Sequence, residues 1–335
     1  MDNQQFNWSY HLYGLHLISN REIPGLIPLS TSHPVDIHVD IYSFRADKIT
    51  SGAKSIIYTS NGRTKHGDPF LTVWKQAGNN DAYVQLCYNN GQGHAIFVIN
   101  SYGSIIRVGC TDNVPFDDIV AYLLGPVIGC VLRLRGFTCL HAGVVAFGET
   151  AIAIIGPKGS GKTTLTAFLS FYGHSVLADD IALLIETGER FYIVPGYPRL
   201  RLCPESLALF PALSVDKLPR VLSIIEKRYL DLSLDTAASQ WRFQQKHLPL
   251  SAVYVLGTRE YGKEPSIKPI HLSAGIAILA THAYPDYFLD RKMRSCDFEV
   301  LGRLCASVPL RLVSSPDSLD NLPRLYEIML NDFFN

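Results

Sequence analysis

The chain has 335 residues, of which 47% are hydrophobic, and its 30 Lys and Arg residues balance 30 Asp and Glu residues. This neutral balance argues against a nucleic-acid binder that relies on a basic face, and the hydrophobic content suffices for one large or two ordinary domains. The seven cysteines are scattered without a C-x-x-C pair, which argues against a zinc site and a disulfide scaffold.

The beginning of the chain and its most hydrophobic run predict a cytoplasmic protein with no membrane partner. Residues 1–8 lack the basic and apolar regions of a secretory signal. The run at residues 119–132 is too short to cross a bilayer and contains Gly125, Pro126 and Gly129, so we expect a buried helix there.

Residues 1–114 are predicted to form a small β-rich domain. Short alternating or apolar runs separated by Asn and Gly predict its strands. They lie at residues 35–44, 55–59, 70–74, 83–88 and 95–108, with a hairpin turn at residues 100–103. This domain either only packs on its neighbour or offers a docking surface to a peptide substrate or partner protein.

Residues 115–335 change to an α/β pattern. The first elements are predicted as a helix at 116–135, strands at 138–146 and 150–155, a helix at 162–171 and a strand at 175–185. The remaining predicted strands are at 191–194, 199–202, 252–256 and 310–313, and the remaining helices are near 274–283, 295–306 and 322–333.

A glycine-rich stretch between the strand at 150–155 and the following helix matches the phosphate-binding pattern G-x-x-x-x-G-K-[ST]. Backbone N–H groups of such a loop surround phosphates, Lys162 would reach the β- and γ-phosphates, and the Thr163 hydroxyl would hold Mg²⁺. The predicted nucleotide-contacting residues are Gly156, Pro157, Lys158, Gly159, Ser160, Gly161, Lys162, Thr163 and Thr164. Because no base-reading motif is evident, GTP stays open beside ATP.

Two adjacent acids, Asp179 and Asp180, interrupt the next apolar run, 17 and 18 positions after Lys162. Buried adjacent carboxylates are costly unless a metal, a substrate hydroxyl or a basic group faces them. The close spacing, the absence of an Asn-Lys-x-Asp tetrapeptide and the absence of a signature helix argue against GTPases and transporter-type ATPases.

Three blocks in this order resemble the core of HPr kinase/phosphorylase over residues 137–185. The blocks are Leu140-His141-Ala142, residues 156–163, and residues 173–180 ending in Asp179-Asp180. That bacterial enzyme phosphorylates a serine hydroxyl on a carrier protein, so the resemblance implies a P-loop kinase core of the HPr kinase and phosphoenolpyruvate carboxykinase-like type.

Residues 122–129, 195–202 and 227–232 resemble HPr-kinase-related proteins found beside peptide-modification enzymes, some of which phosphorylate the C-terminal serine of a lasso-peptide precursor. Two departures argue against HPr itself as the substrate and against the reverse reaction. Thr164 replaces the Glu of the family, and Arg199-Leu-Arg201 stands where its Glu-x-Arg-Gly signature is expected.

The resemblance implies Asp179 as the general base and Asp180 as a metal ligand beside Thr163, although the reverse assignment stays open. His141 matches a histidine near the active site of the family, where it would contact the γ-phosphate or adjust the protonation of the acids. A structural role is its alternative.

Four basic residues are further candidates. Arg199 and Arg201 alternate on a predicted strand, so both point to one face that suits phosphate or carboxylate, or simply solvent. Lys227 and Arg228 either approach the substrate or triphosphate or form a surface pair. The late histidines His247, His271 and His282 have no metal-ligand spacing and are predicted to be structural.

The sequence therefore predicts an ATP- and Mg²⁺-dependent kinase acting on a serine-type hydroxyl of a peptide or protein, with the C-terminal serine of a lasso-peptide precursor as the most specific form. The alternatives are a kinase of a small metabolite such as free serine, and a nucleotide-binding regulator without transfer activity. Homo-oligomerisation stays open, because HPr kinases assemble into oligomers.

Overall fold

The computed structural model describes residues 6–30, 33–45, 54–76, 83–233, 241–259, 262, 264–315 and 317–334. The chain forms two compact units. Unit 1 comprises Met1–Phe137 together with Val221–Ile225, and unit 2 comprises Thr138–Arg220 and Glu226–Asn335. The division at Phe137 does not coincide with the sequence-based boundary at residue 114.

Unit 1 is built on one eight-stranded sheet with the order β1-β2-β3-β8-β7-β6-β5-β4. Neighbours pair antiparallel except β2 with β3 and β3 with β8, which are parallel. Its strands are β1 (Trp8–Leu12), β2 (Leu15–Ser19), β3 (Ile37–Arg45), β4 (Lys54–Thr59), β5 (Leu71–Gln76), β6 (Tyr83–Asn89), β7 (His94–Asn100) and β8 (Ile105–Cys110). The predicted β-rich character of the N-terminal half is confirmed.

The predicted helix at 116–135 is broken in the middle. It consists of α1 (Phe116–Tyr122), a π-helical turn (Leu123–Val127) and α2 (Ile128–Leu134). Pro126 has no N–H for the helical ladder, and Gly125 leaves the helical region with φ −101° and ψ −106°. These helices belong to unit 1 because they pack on its sheet, where the rings of Tyr88 and Tyr122 stack with centroids 4.0 Å apart.

Unit 2 is a mixed α/β unit with a nine-stranded sheet and a separate two-stranded one. In the large sheet, β17 pairs parallel with both β11 and β19. The strands are β9 (Thr138–Leu140), β10 (Gly143–Phe147), β11 (Thr150–Ile155), β12 (Val176–Ala178), β13 (Ala182–Thr187), β14 (Arg190–Val194), β17 (Leu248–Leu256), β18 (Ser266–Pro269) and β19 (Leu310–Ser314), with β15 (Arg199–Leu202) and β16 (Arg228–Asp231) forming the small sheet.

Side chains of β10 and β11 alternate between two apolar cores. On one face, residues such as Val145 and Ile154 pack with α3 (Lys162–Phe171) and α7 (Leu322–Phe334). On the other face, Val144 and Ile155 share a core with β13, β14, α5 (Leu272–Thr281) and α6 (Arg291–Ser307). A short α4 (Pro204–Leu207) follows β15. No helix in the described part of the chain is long and apolar enough to cross a membrane.

Two runs predicted as single strands are each divided. Residues 138–146 form β9 and β10, and residues 175–185 form β12 and β13. β9 pairs with β13, whereas β10 pairs with β12, so each run changes partner at its middle. The polar residues His141, Asp179 and Asp180 occupy these connections rather than strand interiors.

Candidate active site

The predicted phosphate-binding loop connects β11 to α3 in a conformation that requires glycine. Gly156, Gly159 and Gly161 have φ of 156°, 83° and 93°. A Cβ on Gly156 would lie 2.7 Å from Ser160 Oγ and 3.0 Å from the backbone oxygen of Leu256. Glycine is therefore required at these positions by the backbone conformation and, at Gly156, also by the close approach of Ser160 and Leu256, and glycine-rich phosphate loops have the same requirement.

Lys162 folds back over this loop. Its Nζ donates to the carbonyl oxygens of Gly156 at 2.8 Å and Pro157 at 3.1 Å, and burial lowers its pKa. The buried Oγ of Ser160 has no hydrogen-bond partner among the described residues, so a ligand oxygen would satisfy it. The hydroxyl of Thr164, unlike that of Ser160, has a partner, because it lies 2.7 Å from Ser206 Oγ in α4. Thr164 could therefore contact a nucleotide only through its backbone.

The two acids lie beside the first turn of α3. Asp179 is only 4% exposed; its Oδ1 accepts from Thr163 Oγ1 at 3.0 Å and its Oδ2 accepts from the backbone N–H of Arg201 at 3.0 Å. Asp180 Oδ2 pairs with Arg201 Nη1 at 2.8 Å. Thr163 thus contacts Asp179, whereas the sequence paired it with Asp180 in metal binding.

The surroundings push the pKa values of these carboxyl groups apart. Burial and the neighbouring Asp180 raise the pKa of Asp179 to about 7, against the opposing effect of the Arg201 N–H. Burial disfavours the charge of Asp180 as well, but Arg201, His141 and nearby lysines outweigh it and lower its pKa. Such a divergence within a pair of acids is typical of general acid–base sites.

Arg201 is the centre of this arrangement. Besides its two contacts with the acids, its Nη2 donates to Tyr197 Oη at 2.7 Å. Arg199 and Arg201 share one face, as predicted, with their guanidinium carbons 4.8 and 5.9 Å from the ring centroid of Tyr229. Both side chains are only 13% exposed, which contradicts the alternative of a solvated basic face.

His141 joins the site through the backbone of the acid pair. Its Nδ1 lies 3.0 Å from the carbonyl oxygen of Asp180, its ring stacks on Tyr284, and burial lowers its pKa. It lies between β9 and β10, which corrects its predicted place within a strand. The backbone N–H of His141 donates to the carbonyl oxygen of His282 at 2.7 Å.

His282 and Arg259 are site residues that the sequence did not indicate. Burial, with Lys162 and His141 nearby, lowers the pKa of His282 to about 4. Arg259 follows β17, and its Nη2 fills the space that a Cβ of Gly161 would need. Its Nη1 pairs with Asp317 at 2.9 Å. Because β11 and β17 pair in parallel, their carboxyl ends lie at one edge of the sheet, which brings Arg259 to the glycine-rich loop. The sequence near Arg259 does not indicate that pairing.

The adjacent residues Lys227 and Arg228, which the sequence analysis treated together, have different neighbours. Lys227 interacts electrostatically with Asp180, Lys162 and His141. Arg228 instead donates to the Leu218 carbonyl oxygen at 3.3 Å and lies 3.8 Å from Glu226. Lys227 therefore acts electrostatically on the candidate site, whereas these contacts of Arg228 lie outside it. The other two late histidines, His247 and His271, are exposed.

The donor set fits Mg²⁺ better than a metal held wholly by protein. Among the described residues there is no group of three or more His, Cys, Asp or Glu suited to a metal ion. The site offers the Thr163 hydroxyl and the carboxylates of Asp179 and Asp180 beside the phosphate loop. Mg²⁺ is commonly held by one or two carboxylates together with waters and substrate phosphates.

The fold and the site define a mixed α/β protein in which a glycine-rich loop, a lysine, a threonine and an acid pair lie together. No protein-family model and no curated protein matches the chain. Among solved structures it is similar to the HPr(Ser) kinase/phosphatase from Coxiella burnetii, with 11% identity over 58% of this chain and 88% of that one and a TM-score of 0.33. This likeness is too weak to support an argument, so the functional conclusion depends on the residues themselves.

Proposed function

We propose that the chain is an Mg²⁺-dependent phosphotransferase that moves the γ-phosphoryl group of ATP to a serine-type hydroxyl of a peptide or protein. The observation that carries this proposal is the contact of Thr163 with Asp179 beside a glycine loop closed by Lys162. Phosphoryl transfer depends mainly on positioning and on neutralising phosphate charge, and these residues are suited to both tasks.

Each residue takes a separate part in the reaction. Lys162 neutralises phosphate oxygens, while Thr163 and Asp180 hold Mg²⁺, which supplies further charge neutralisation when bound. Asp179 accepts the proton of the acceptor hydroxyl as its oxygen bonds to phosphorus and ADP leaves. A pKa of about 7 makes Asp179 a suitable base near neutral pH.

The Thr163–Asp179 contact also suits the reverse assignment, a second candidate in which Asp179 holds Mg²⁺ and Asp180 takes the proton. Titration of Mg²⁺ with Asp179→Asn and Asp180→Asn separates the two. The variant that lacks the base should lose kcat at an unchanged Mg²⁺ requirement. The variant that lacks the ligand should need more Mg²⁺, and the residue showing that behaviour is the metal ligand.

Arg199 supports an acceptor that carries a carboxylate next to its hydroxyl, such as the C-terminal serine of a lasso-peptide precursor. Arg201 is already paired through its Nη atoms with Asp180 and Tyr197, whereas no comparably short ion pair or hydrogen bond to a described residue engages the buried guanidinium of Arg199. Its ionic neighbour Asp231 is 3.7 Å away, a loose contact. A buried guanidinium of this kind suits a bidentate carboxylate.

The test is transfer from γ-labelled ATP with Mg²⁺ to a serine-ended peptide, the same peptide as its C-terminal amide, and free serine. We expect label on the peptide acid, little on the amide, and none with Lys162→Ala. Arg199→Met should raise KM for the peptide acid and leave the amide unchanged. Label on free serine alone would indicate a metabolite kinase, and nucleotide binding without any transfer would indicate a regulator.

A further inference from the structure

Both Asn-Gly dipeptides of the chain, Asn61-Gly62 and Asn90-Gly91, lie in unit 1. In such a dipeptide the glycine nitrogen can attack the side-chain amide of the asparagine, because glycine has no side chain to hinder the approach and its backbone adopts many conformations. The reaction needs a glycine N–H without a partner and an asparagine side chain that can turn toward it. The two dipeptides differ in both respects.

The Asn90-Gly91 dipeptide is held by hydrogen bonds at both reacting groups. Asn90 is only 8% exposed, and its Oδ1 accepts from the backbone N–H groups of Gln92 and Gly93, each at 2.9 Å. The N–H of Gly91 donates to Asn89 Oδ1 at 2.8 Å. The asparagine amide and the glycine nitrogen would therefore both have to leave their partners before they react.

The Asn61-Gly62 dipeptide lies in the loop between β4 and β5, where both residues are exposed. Neither the Asn61 side chain nor the Gly62 N–H makes a hydrogen bond to a described residue. The carbonyl oxygen of Gly62, in contrast, accepts from the Phe70 N–H at 3.2 Å and from Ser60 Oγ at 3.1 Å. A Cβ on Gly62 would lie 2.9 Å from Phe70 Cδ2, so the packing of this ring requires glycine directly after Asn61.

We propose that Asn61 is a site of spontaneous deamidation and isoaspartate formation in the folded protein, and that Asn90 is protected from the same reaction. The Gly62 nitrogen gives up its proton and bonds to Cγ of Asn61, while Nδ2 takes up a proton and leaves as ammonia. Water then opens the resulting succinimide at either carbonyl. One product is aspartate, and the other is isoaspartate, in which the chain continues through the side-chain carbon.

Isoaspartate would lengthen the backbone at a point where hydrogen bonds close the loop. The N–H of Ser60 donates to the Leu71 carbonyl oxygen at 2.9 Å, and the N–H of Leu71 donates to Ser60 Oγ at 3.1 Å. Together with the bond from Phe70 to Gly62, these contacts lie on both sides of the modified residue. We expect the amides of Phe70 and Leu71 to exchange hydrogen about tenfold faster in the isoaspartate form, because local opening becomes easier.

Peptide mapping of the full chain during incubation at mildly alkaline pH tests the proposal. Mass spectrometry follows the change from Asn to Asp at Asn61 and Asn90, and chromatography separates the aspartate from the isoaspartate product. We expect the rate at Asn61 to exceed that at Asn90 by at least about tenfold, because reaction at Asn90 requires a local opening. In guanidinium chloride, where the fold is lost, the two rates should become similar.

Asn89→Ala tests the cause of the protection, since it removes the acceptor of the Gly91 N–H and leaves the other loop unchanged. It should speed deamidation at Asn90 and not at Asn61, and an unchanged rate at Asn90 would contradict the role of that bond. Asn61→Gln, whose longer side chain closes its ring far more slowly, should abolish the reaction in the loop. The comparison in the wild type does not depend on either variant folding.

Equal rates at Asn61 and Asn90 in the folded chain would overturn the proposal. A rate at Asn61 far below that of the same residue in guanidinium chloride would overturn it as well, because the fold would then protect both dipeptides. Neither result depends on phosphoryl transfer, so this inference and the proposed function fail separately.

Discussion

Gly161 shows how closely single residues constrain the candidate phosphate loop between β11 and α3. Its φ is 93°, and a Cβ there would collide with Arg259 Nη2. We expect Gly161→Ala to weaken MgATP binding about tenfold, because it adds backbone strain of about 1 kcal/mol and displaces the guanidinium. Isothermal titration of MgATP measures this effect.

Gly188→Ala is the matched control for that change. Gly188, in the turn after β13, also has a positive φ, 62°, but nothing lies within 4 Å of the position that its Cβ would take. This variant should lose about 1 kcal/mol of stability and keep its nucleotide affinity. An equal loss of affinity in both variants would show that strain alone, and not the Arg259 contact, explains the effect.

His282 should make the fold sensitive to acid. Burial lowers its pKa to about 4, whereas a histidine in the unfolded chain has a pKa of about 6.5. Between these values the unfolded chain binds a proton that the folded chain does not, so stability falls as pH falls through the window. The free energy of unfolding should fall between about pH 7 and about pH 5, and His282→Gln should make that fall smaller by on the order of 1 kcal/mol. The effect is modest because solvent screens a half-buried ring.

Urea unfolding at the two pH values measures that difference, with the exposed His271→Gln as the control. An equal change of acid sensitivity in both variants would contradict the assignment to His282.

The sequence indicated those candidate site residues that lie within a local pattern and gave no sign of the neighbours that the fold brings to them from distant parts of the chain. Lys162 and Thr163 could be found because loop chemistry depends on fixed spacing along the chain. Arg259 and His282 could not, because they reach the loop only through strand pairing and through the chain path after α5. A single sequence carries no periodic signal for such contacts.

At the scale of elements, the packing of β10 against α3 is tight at one point. A Cβ on Gly143 would collide with Thr166 Oγ1, and Thr166 is fully buried. Gly143→Ala should therefore lower the free energy of unfolding by about 1–3 kcal/mol, the usual cost of overpacking. Chemical denaturation followed by circular dichroism measures it.

Gly302→Ala, in α6, is the same substitution at a site where we expect the opposite effect on stability. Nothing lies within 4 Å of a Cβ there, and alanine favours a helix interior, so we expect stability to rise by about 0.5–1 kcal/mol. If both variants were destabilised alike, the collision with Thr166 would not be the cause of the Gly143 effect.

Element positions were predictable where hydrophobic patterns are uninterrupted, as in β11, β15 and α7. The pattern failed at residues 138–146 and 175–185, where apolar character continues through a change of strand partner. Periodicity reports burial, and both halves of each run are buried, so it could not show where one strand ends and the next begins.

At the scale of the whole molecule, the chain of unit 1 is completed by residues 221–225. Ser223→Ala should lower the free energy of unfolding by about 1–3 kcal/mol, because buried Asp118 loses a hydrogen bond. The hydroxyl of Ser55 is exposed, so Ser55→Ala should change the free energy of unfolding by less than about 0.5 kcal/mol. Urea unfolding of both variants measures the difference, and equal values would show that the Asp118 contact contributes no net stability.

This discontinuous path was beyond the reach of the sequence. A change in composition near residue 114 indicated a boundary, but α1 and α2 pack with the preceding sheet. The return of residues 221–225 to unit 1 includes two hydrogen bonds from Ser223 to Asp118. Nothing in the letters around Ser223 distinguishes it from an ordinary loop serine.

The left-handed backbone of Asp180, with φ 69°, has an evolutionary consequence. Asp, Asn and Gly adopt this conformation at low cost, whereas most other residues are strained in it. Under the proposed function this position needs an acid, whereas the turn itself needs only a residue that tolerates a positive φ. Descendants without phosphoryl transfer would lose the first requirement and keep the second. We therefore expect such descendants to have Asn or Gly at this position. The left-handed backbone conformation would then be kept after the carboxylate is lost.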